Sequence, residues 1–175
     1  MVRSREDQRT TCEPQGRHCQ QEVGGLHQKR PSADRPRCSR PNTGITLDFC
    51  HVLFAGEIPA QTASIIARRS RLLGVHLNDG YGKRDDGLMV GTVHPIQTIE
   101  LLYVLDSIGY ERIIYFDTFP DVTGLDPVAE CSANIATVEA MRAVVKRLQN
   151  DNRLGAAIAR QDAVTSNSII RKAIY

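Results

Sequence analysis

Three apolar, β-rich runs in this chain each carry a candidate metal ligand at or near their end, and each is followed by a helix-like stretch. "GITLDFC" finishes near Asp48, "VHLND" holds His76 and Asp79, and "IIYFDT" ends around Asp117. Strand, helix, strand, helix, strand, helix is the order of parallel α/β architecture, because parallel neighbours need a long crossover to bring the chain back. In such folds the C-terminal strand ends and the loops beyond them collect functional side chains. An Asp or His at that end of three consecutive strands is a pattern that chance seldom produces. His51 and the pair Asp85–Asp86 fall in the loops just beyond, on the same rim. The expectation is that Asp48 points into a site and His51 returns to it from the loop.

The intervening segments have helical signatures. "IPAQTASIIARRSRLLG" predicts a helix with Pro59 in its first turn, Gly74 as its stop, and Ala63, Ile66 and Leu73 inward. "PIQTIELLYVLDSIG" predicts a second, with Ile96, Ile99, Leu102 or Tyr103, and Leu105 on one face and Gly109 closing it. "DPVAECSANIATVEAMRAVVKRLQND" predicts a third, N-capped by Asp126 with Pro127 first; Cys131, Ile135, Val138, Val145 and Leu148 mark its buried stripe. Residues 153–175 read as a final Ala-rich helical stretch. "RIIYFDT", apolar on both faces, predicts a strand buried within a parallel sheet.

Composition divides the chain. Its 175 residues suffice for one domain with a core. Residues 1–43 hold nine basic against five acidic groups, whereas the remainder holds thirteen against fifteen. That first segment has no aromatic residue and only Val2, Val23 and Leu26 as large aliphatics, so it is expected to be disordered. Its Cys12, His18, Cys19, His27 and Cys38 lack the paired spacing of a zinc site. A basic arm touching nucleic acid or an acidic surface is an alternative that the interspersed acids weaken, and nucleic acid is not the expected partner. The cysteine count is odd, at five, and neither a membrane-length apolar run nor a signal-type h-region is evident. The expectation is a cytoplasmic protein with reduced thiols and no membrane partner.

"TLDFCH", "GVHLNDGYGKRDDGL" and "IIYFDTFP" together resemble the last three β/α units of the xylose-isomerase-like TIM barrels, most closely bacterial sugar isomerases related to L-rhamnose isomerase. The likeness covers residues 40–150. It implies a fold class of α/β type, the C-terminal part of a (β/α)8 barrel, preceded by the disordered segment 1–39 and followed by a helical extension, 151–175. It also implies a ligand set. In the family an Asp, a His and an Asp from the last three strands, with a Glu from the strand before, hold one divalent cation; these match Asp48, His76 and Asp117. A second, catalytic cation is held by the His of a D-x-x-H motif, matching His51, and by acids of the following loop, for which Asp85 and Asp86 are the candidates. Carboxylate and imidazole ligands suit Mn²⁺, Mg²⁺, Co²⁺ or Zn²⁺, with Mn²⁺ the expected ion. The implied activity is aldose–ketose interconversion of a small-molecule sugar, with hydrogen moving between C1 and C2.

The chain also departs from that family. A whole barrel has eight β/α units and about 250 residues, and the similar part supplies three units. Where the Glu-bearing strand should stand lies the arginine-rich segment, which raises the expectation of a truncated or frame-shifted gene. Translating the upstream DNA in its other frames tests this, and finding no Glu-bearing strand there would sink it. Two alternatives within the superfamily are endonuclease-IV-like DNA-repair enzymes and sugar 3-epimerases. Both present a Glu where Asp117 stands, and the former carry an Asp-Arg-His pair where this chain has Arg84-Asp85-Asp86. A third alternative is a non-catalytic remnant, with open strand edges and last helices that offer a surface for a homo-oligomer.

Plainer readings stand beside these. Asp48 and Asp117 could cap loops, and "KRDDG" is also a charged turn with a solvated Lys83. His76 could be a core histidine, although strand alternation sets it opposite Val75 and Leu77. His94, before Pro95, reads as a structural loop residue; Cys50 and Cys131 read as small core residues.

Overall fold

The computed structural model describes residues 42–119, 124 and 126–175. The expected disordered segment 1–39, with Cys12, His18, Cys19, His27 and Cys38, lies outside the described residues. Three strands, β1 (Ile45–Asp48), β2 (Leu72–Leu77) and β3 (Ile114–Phe116), form a parallel sheet in the order β1-β2-β3. Helices α1 (Phe49–Phe54) and α2 (Pro59–Arg69) join β1 to β2, and α3 (Pro95–Ser107) joins β2 to β3. Three more follow: α4 (Pro127–Gln149), α5 (Asn152–Ala159) and α6 (Ala163–Ile174). The chain is therefore a mixed α/β protein with a small parallel sheet.

Register positions the site. Leu47 pairs with Val75 and Asp48 with His76; across the other ladder His76 pairs with Tyr115 and Leu77 with Phe116. Because side chains alternate along a strand, Leu47, Val75 and Leu77 share one face, and all three are fully buried. They join Ile66 of α2 and Leu101, Leu102 and Leu105 of α3 in the core. Burying each such side chain contributes about 1.5–3 kcal/mol. Asp48 and His76 take the opposite face, and Asp117, two residues beyond Tyr115, continues that row.

Several expectations need correction. Helix α2 ends at Arg69, where Ser70 turns extended, and Gly74 lies inside β2 rather than at a helix stop. The central strand receives backbone partners from both sides, which outweighs the helical preference of the two leucines. Leu73 falls where the β1–β2 register slips and is 36% exposed instead of buried. A Cβ on Gly74 would stand 3.4 Å from the Thr46 side chain, a contact at the edge of tightness. Strand β3 is not covered on both faces, since Tyr115 is 57% exposed; among the described residues it pairs only with β2.

In α3, Ile99, Leu102 and Leu105 are buried as expected, but Ile96 is exposed. Gly109 follows the helix with positive φ, as its closing role requires. In α4, Asp126 accepts from Val128 N, and Pro127 is the first helical residue. Its buried stripe runs through Asn134, Val138, Met141, Val145 and Leu148, while Cys131 and Ile135 are exposed. Asn134 displaces the expected apolar residue because its Oδ1 accepts Val90 N, at 2.9 Å, from the loop above. The C-terminal stretch is two helices, broken where Gln161 takes positive φ and Asp162 caps α6 by accepting from Thr165 N.

Candidate metal centre

At the C-terminal end of β1 the chain turns at once into α1. Asp48 makes that turn, its Oδ1 accepting the N–H of His51 at 3.1 Å as an N-cap. The cap fixes the carboxylate and leaves Oδ2 aimed along the sheet. His76, the register partner on β2, brings Nδ1 to 3.4 Å from that Oδ2 and to 3.1 Å from Asp117 Oδ2. One ligand atom from each of the three residues lies within 4.8 Å of the others, a grouping able to hold a metal ion. Tyr115 leans over the imidazole, with ring centroids 5.2 Å apart.

The chemistry of the donors fits a cation. Asp48 is 2% exposed, and its Oδ2 has no hydrogen-bond partner among the described residues. A buried carboxylate oxygen left unpaired is costly. Burial holds the Asp48 pKa above its ordinary value against the His51 N–H and the His51 charge, and the negative Asp85 and Asp117 nearby push the same way. A divalent ion between Asp48, His76 and Asp117 would supply the missing partner and cancel that repulsion.

A second pair adjoins the first. His51 stands in α1 and not in a loop as expected, because the Asp48 cap starts a helix at once, and it places Nε2 3.2 Å from Asp85 Oδ2; the other Asp85 oxygen is buried with no partner among the described residues. Asp86 turns elsewhere. Its Oδ1 accepts from Arg84 Nε at 2.7 Å and its Oδ2 from Tyr81 N at 2.8 Å, and the Arg84 hydrogen bond holds its pKa below the ordinary value. Gly87 follows with positive φ, and a Cβ there would meet the Phe119 ring at 2.3 Å, so the acidic loop and the segment after β3 close on each other through a glycine. Phe119 N donates to Gly87 O at 3.0 Å across the same contact.

Cys50 is buried between the pairs, as read, with its pKa pushed up to about 11 by desolvation. Its thiol donates to Arg84 O at 3.4 Å, so it serves packing rather than ligation. His94 is a structural loop residue, as expected, its Nδ1 2.8 Å from Asp79 Oδ1. Asp79 is thereby committed to the loop, away from the cluster. Two contributors escaped the sequence reading. Asn78 binds Cys50 N through Oδ1 at 2.9 Å and so ties α1 to the end of β2. Tyr115 is the other: the expected buried strand hides it, although its two-residue offset from Asp117 places both on one face.

Fold and site define a class: an α/β protein with carboxylate and imidazole donors grouped at adjacent parallel strand ends. No protein-family model matches the chain, and a search of curated proteins finds no match. No helix among the described residues is long and apolar enough to cross a membrane.

Proposed function

We propose that this chain is the metal-binding part of a divalent-cation-dependent sugar isomerase of the xylose-isomerase-like TIM-barrel lineage, acting in aldose–ketose interconversion. One observation carries the reading: Asp48, His76 and Asp117 converge in the order the resemblance implies, around a buried carboxylate oxygen that no hydrogen-bond donor meets among the described residues. Asp48, His76 and Asp117 would hold the first cation, and His51 with Asp85 would hold the second, with Mn²⁺ the expected ion and Mg²⁺, Co²⁺ or Zn²⁺ as substitutes. Bound there, such cations would supply Lewis-acid polarisation of the sugar carbonyl. The chain's own residues then have distinct tasks. His51 Nε2 and Asp85 Oδ2, 3.2 Å apart, would be the donors to the second cation, where a water or sugar hydroxyl would be activated. Asp48 aligns His51 through its backbone N–H, and Tyr115 confines the His76 ring. Asp86, paired with Arg84, shapes the loop.

Calorimetry with Mn²⁺ on the purified chain, beside an Asp117→Ala control, tests the reading. Saturable binding that the substitution removes, followed by turnover of an aldose panel to ketoses, supports it. Binding without turnover reduces the chain to a metal-binding remnant. An isotherm identical in both proteins would refute the site.

A further inference from the structure

Of the buried acids that this chemistry leaves unused, Asp79 is the most enclosed among the described residues. Asp79 is 0% exposed, and every contact it makes closes one loop. Its Oδ1 accepts from Gly80 N at 2.8 Å and lies 2.8 Å from His94 Nδ1. Its Oδ2 accepts from Val93 N and His94 N, each at 2.8 Å. The backbone of Asp79 meanwhile exchanges two hydrogen bonds with Leu88, both 2.9 Å. A carboxylate only accepts, so His94 Nδ1 carries the proton here. The loop thus leaves the sheet at Asp79, runs through Asp85 and Asp86, and returns to the same carboxylate at Val93 and His94. Charge-assisted bonds of this length are about twice as strong as neutral ones. The loop's first residue is pinned too, since Gly80 packs against the Cys50 sulfur so closely that a Cβ would meet it at 2.6 Å.

We propose that Asp79, clasped to His94, is a positioning residue that holds this loop shut so that Asp85 meets His51. The proposal rests on the reading of His51 and Asp85 as the second cation site. It makes the two sites separable: loosening the clasp weakens the His51–Asp85 site and spares the strand-end group, whose three ligands sit on β1, β2 and the end of β3.

The test is a Zn²⁺ titration of the full chain, followed by the imidazole ¹⁵N shifts of His51 and His76. In the unsubstituted protein both rings respond. In Asp79→Asn, which keeps one accepting oxygen, and in the milder His94→Ala, His76 responds as before while His51 needs about 10- to 100-fold more Zn²⁺, the usual effect of losing an outer partner. If Asp79→Asn does not fold, His94→Ala decides alone. An unchanged His51 response in a folded variant would overturn the clasp, and so would an equal loss at both histidines. If His51 never responds in the unsubstituted protein, the second cation site itself falls, and the clasp falls with it.

Discussion

Two Asp–His contacts lie a few residues apart around the end of β2, and they are alike in kind but opposite in circumstance. His76 Nδ1 stands 3.1 Å from Asp117, and His94 Nδ1 stands 2.8 Å from Asp79. Asp79 is fully enclosed, and both its oxygens are met by donors. Asp48 in the other group is equally enclosed, yet one of its oxygens meets no hydrogen-bond donor among the described residues. His76 and Asp117, whose side chains are each 30% exposed, leave that group open to solvent. The difference teaches what separates a structural acid from a ligand: unspent acceptor capacity facing an accessible space. Burial alone does not tell them apart.

The contrast breaks hardest at Asp79. Asp79→Ala strands three backbone N–H groups and a ring donor, and each buried donor left unsatisfied costs about 1–3 kcal/mol. Urea unfolding should show that loss with or without metal. Asp117→Ala should do the reverse. It leaves the unfolding midpoint of the metal-free chain near its original value and lowers Mn²⁺ affinity by on the order of 100-fold, at least the loss expected for an outer partner. Equal stability losses in the two variants would erase the distinction between clasp and ligand.

Asp48→Asn sharpens the comparison further. Asn still caps α1 but carries no charge to strand, so the metal-free variant should be about 1 kcal/mol more stable at neutral pH. The sign follows from burial. A carboxylate whose folded pKa is raised binds more protons folded than unfolded, so stability falls as pH rises from the ordinary carboxylate range through the raised value. The advantage of the variant should therefore vanish in acid and grow as pH rises through that window. Saturating Mn²⁺ should reverse the ranking, because only the original chain gains binding energy. Thermal melts of both proteins across pH, with and without metal, read all three effects.

The sequence made this site legible because its signals are short-range. Asp48, His76 and Asp117 each stand within one residue of a strand's end, and strand alternation sets His76 opposite Val75 and Leu77, although the face they share is set by the register between strands. Asp126 as a cap, Pro59, Pro95 and Pro127 at helix starts, and Gly109 after α3 were readable for the same local reason. What misled were positions decided by distant neighbours. Leu72 and Leu73 look helical until pairing with β1 claims them, and Cys131 and Ile135 look buried until Asn134 turns inward to hold Val90. Asp79 looked like one more candidate ligand, because nothing local reveals that Val93 and His94 return to it.

The smallest effect separates two adjacent acids that sequence spacing left equivalent. Both oxygens of Asp86 are already engaged, by Arg84 and by Tyr81 N, whereas Asp85 offers one oxygen to His51 and keeps the other unpaired among the described residues. An Asn at either position preserves shape and removes charge. Asp85→Asn should weaken the response of His51 to Zn²⁺, while Asp86→Asn should leave it where it was, because Tyr81 N can still donate to the amide oxygen and Arg84 is largely solvated. The reverse ranking in that titration would mean that the loop rearranges when a cation arrives and that Asp86 exchanges Arg84 for the metal.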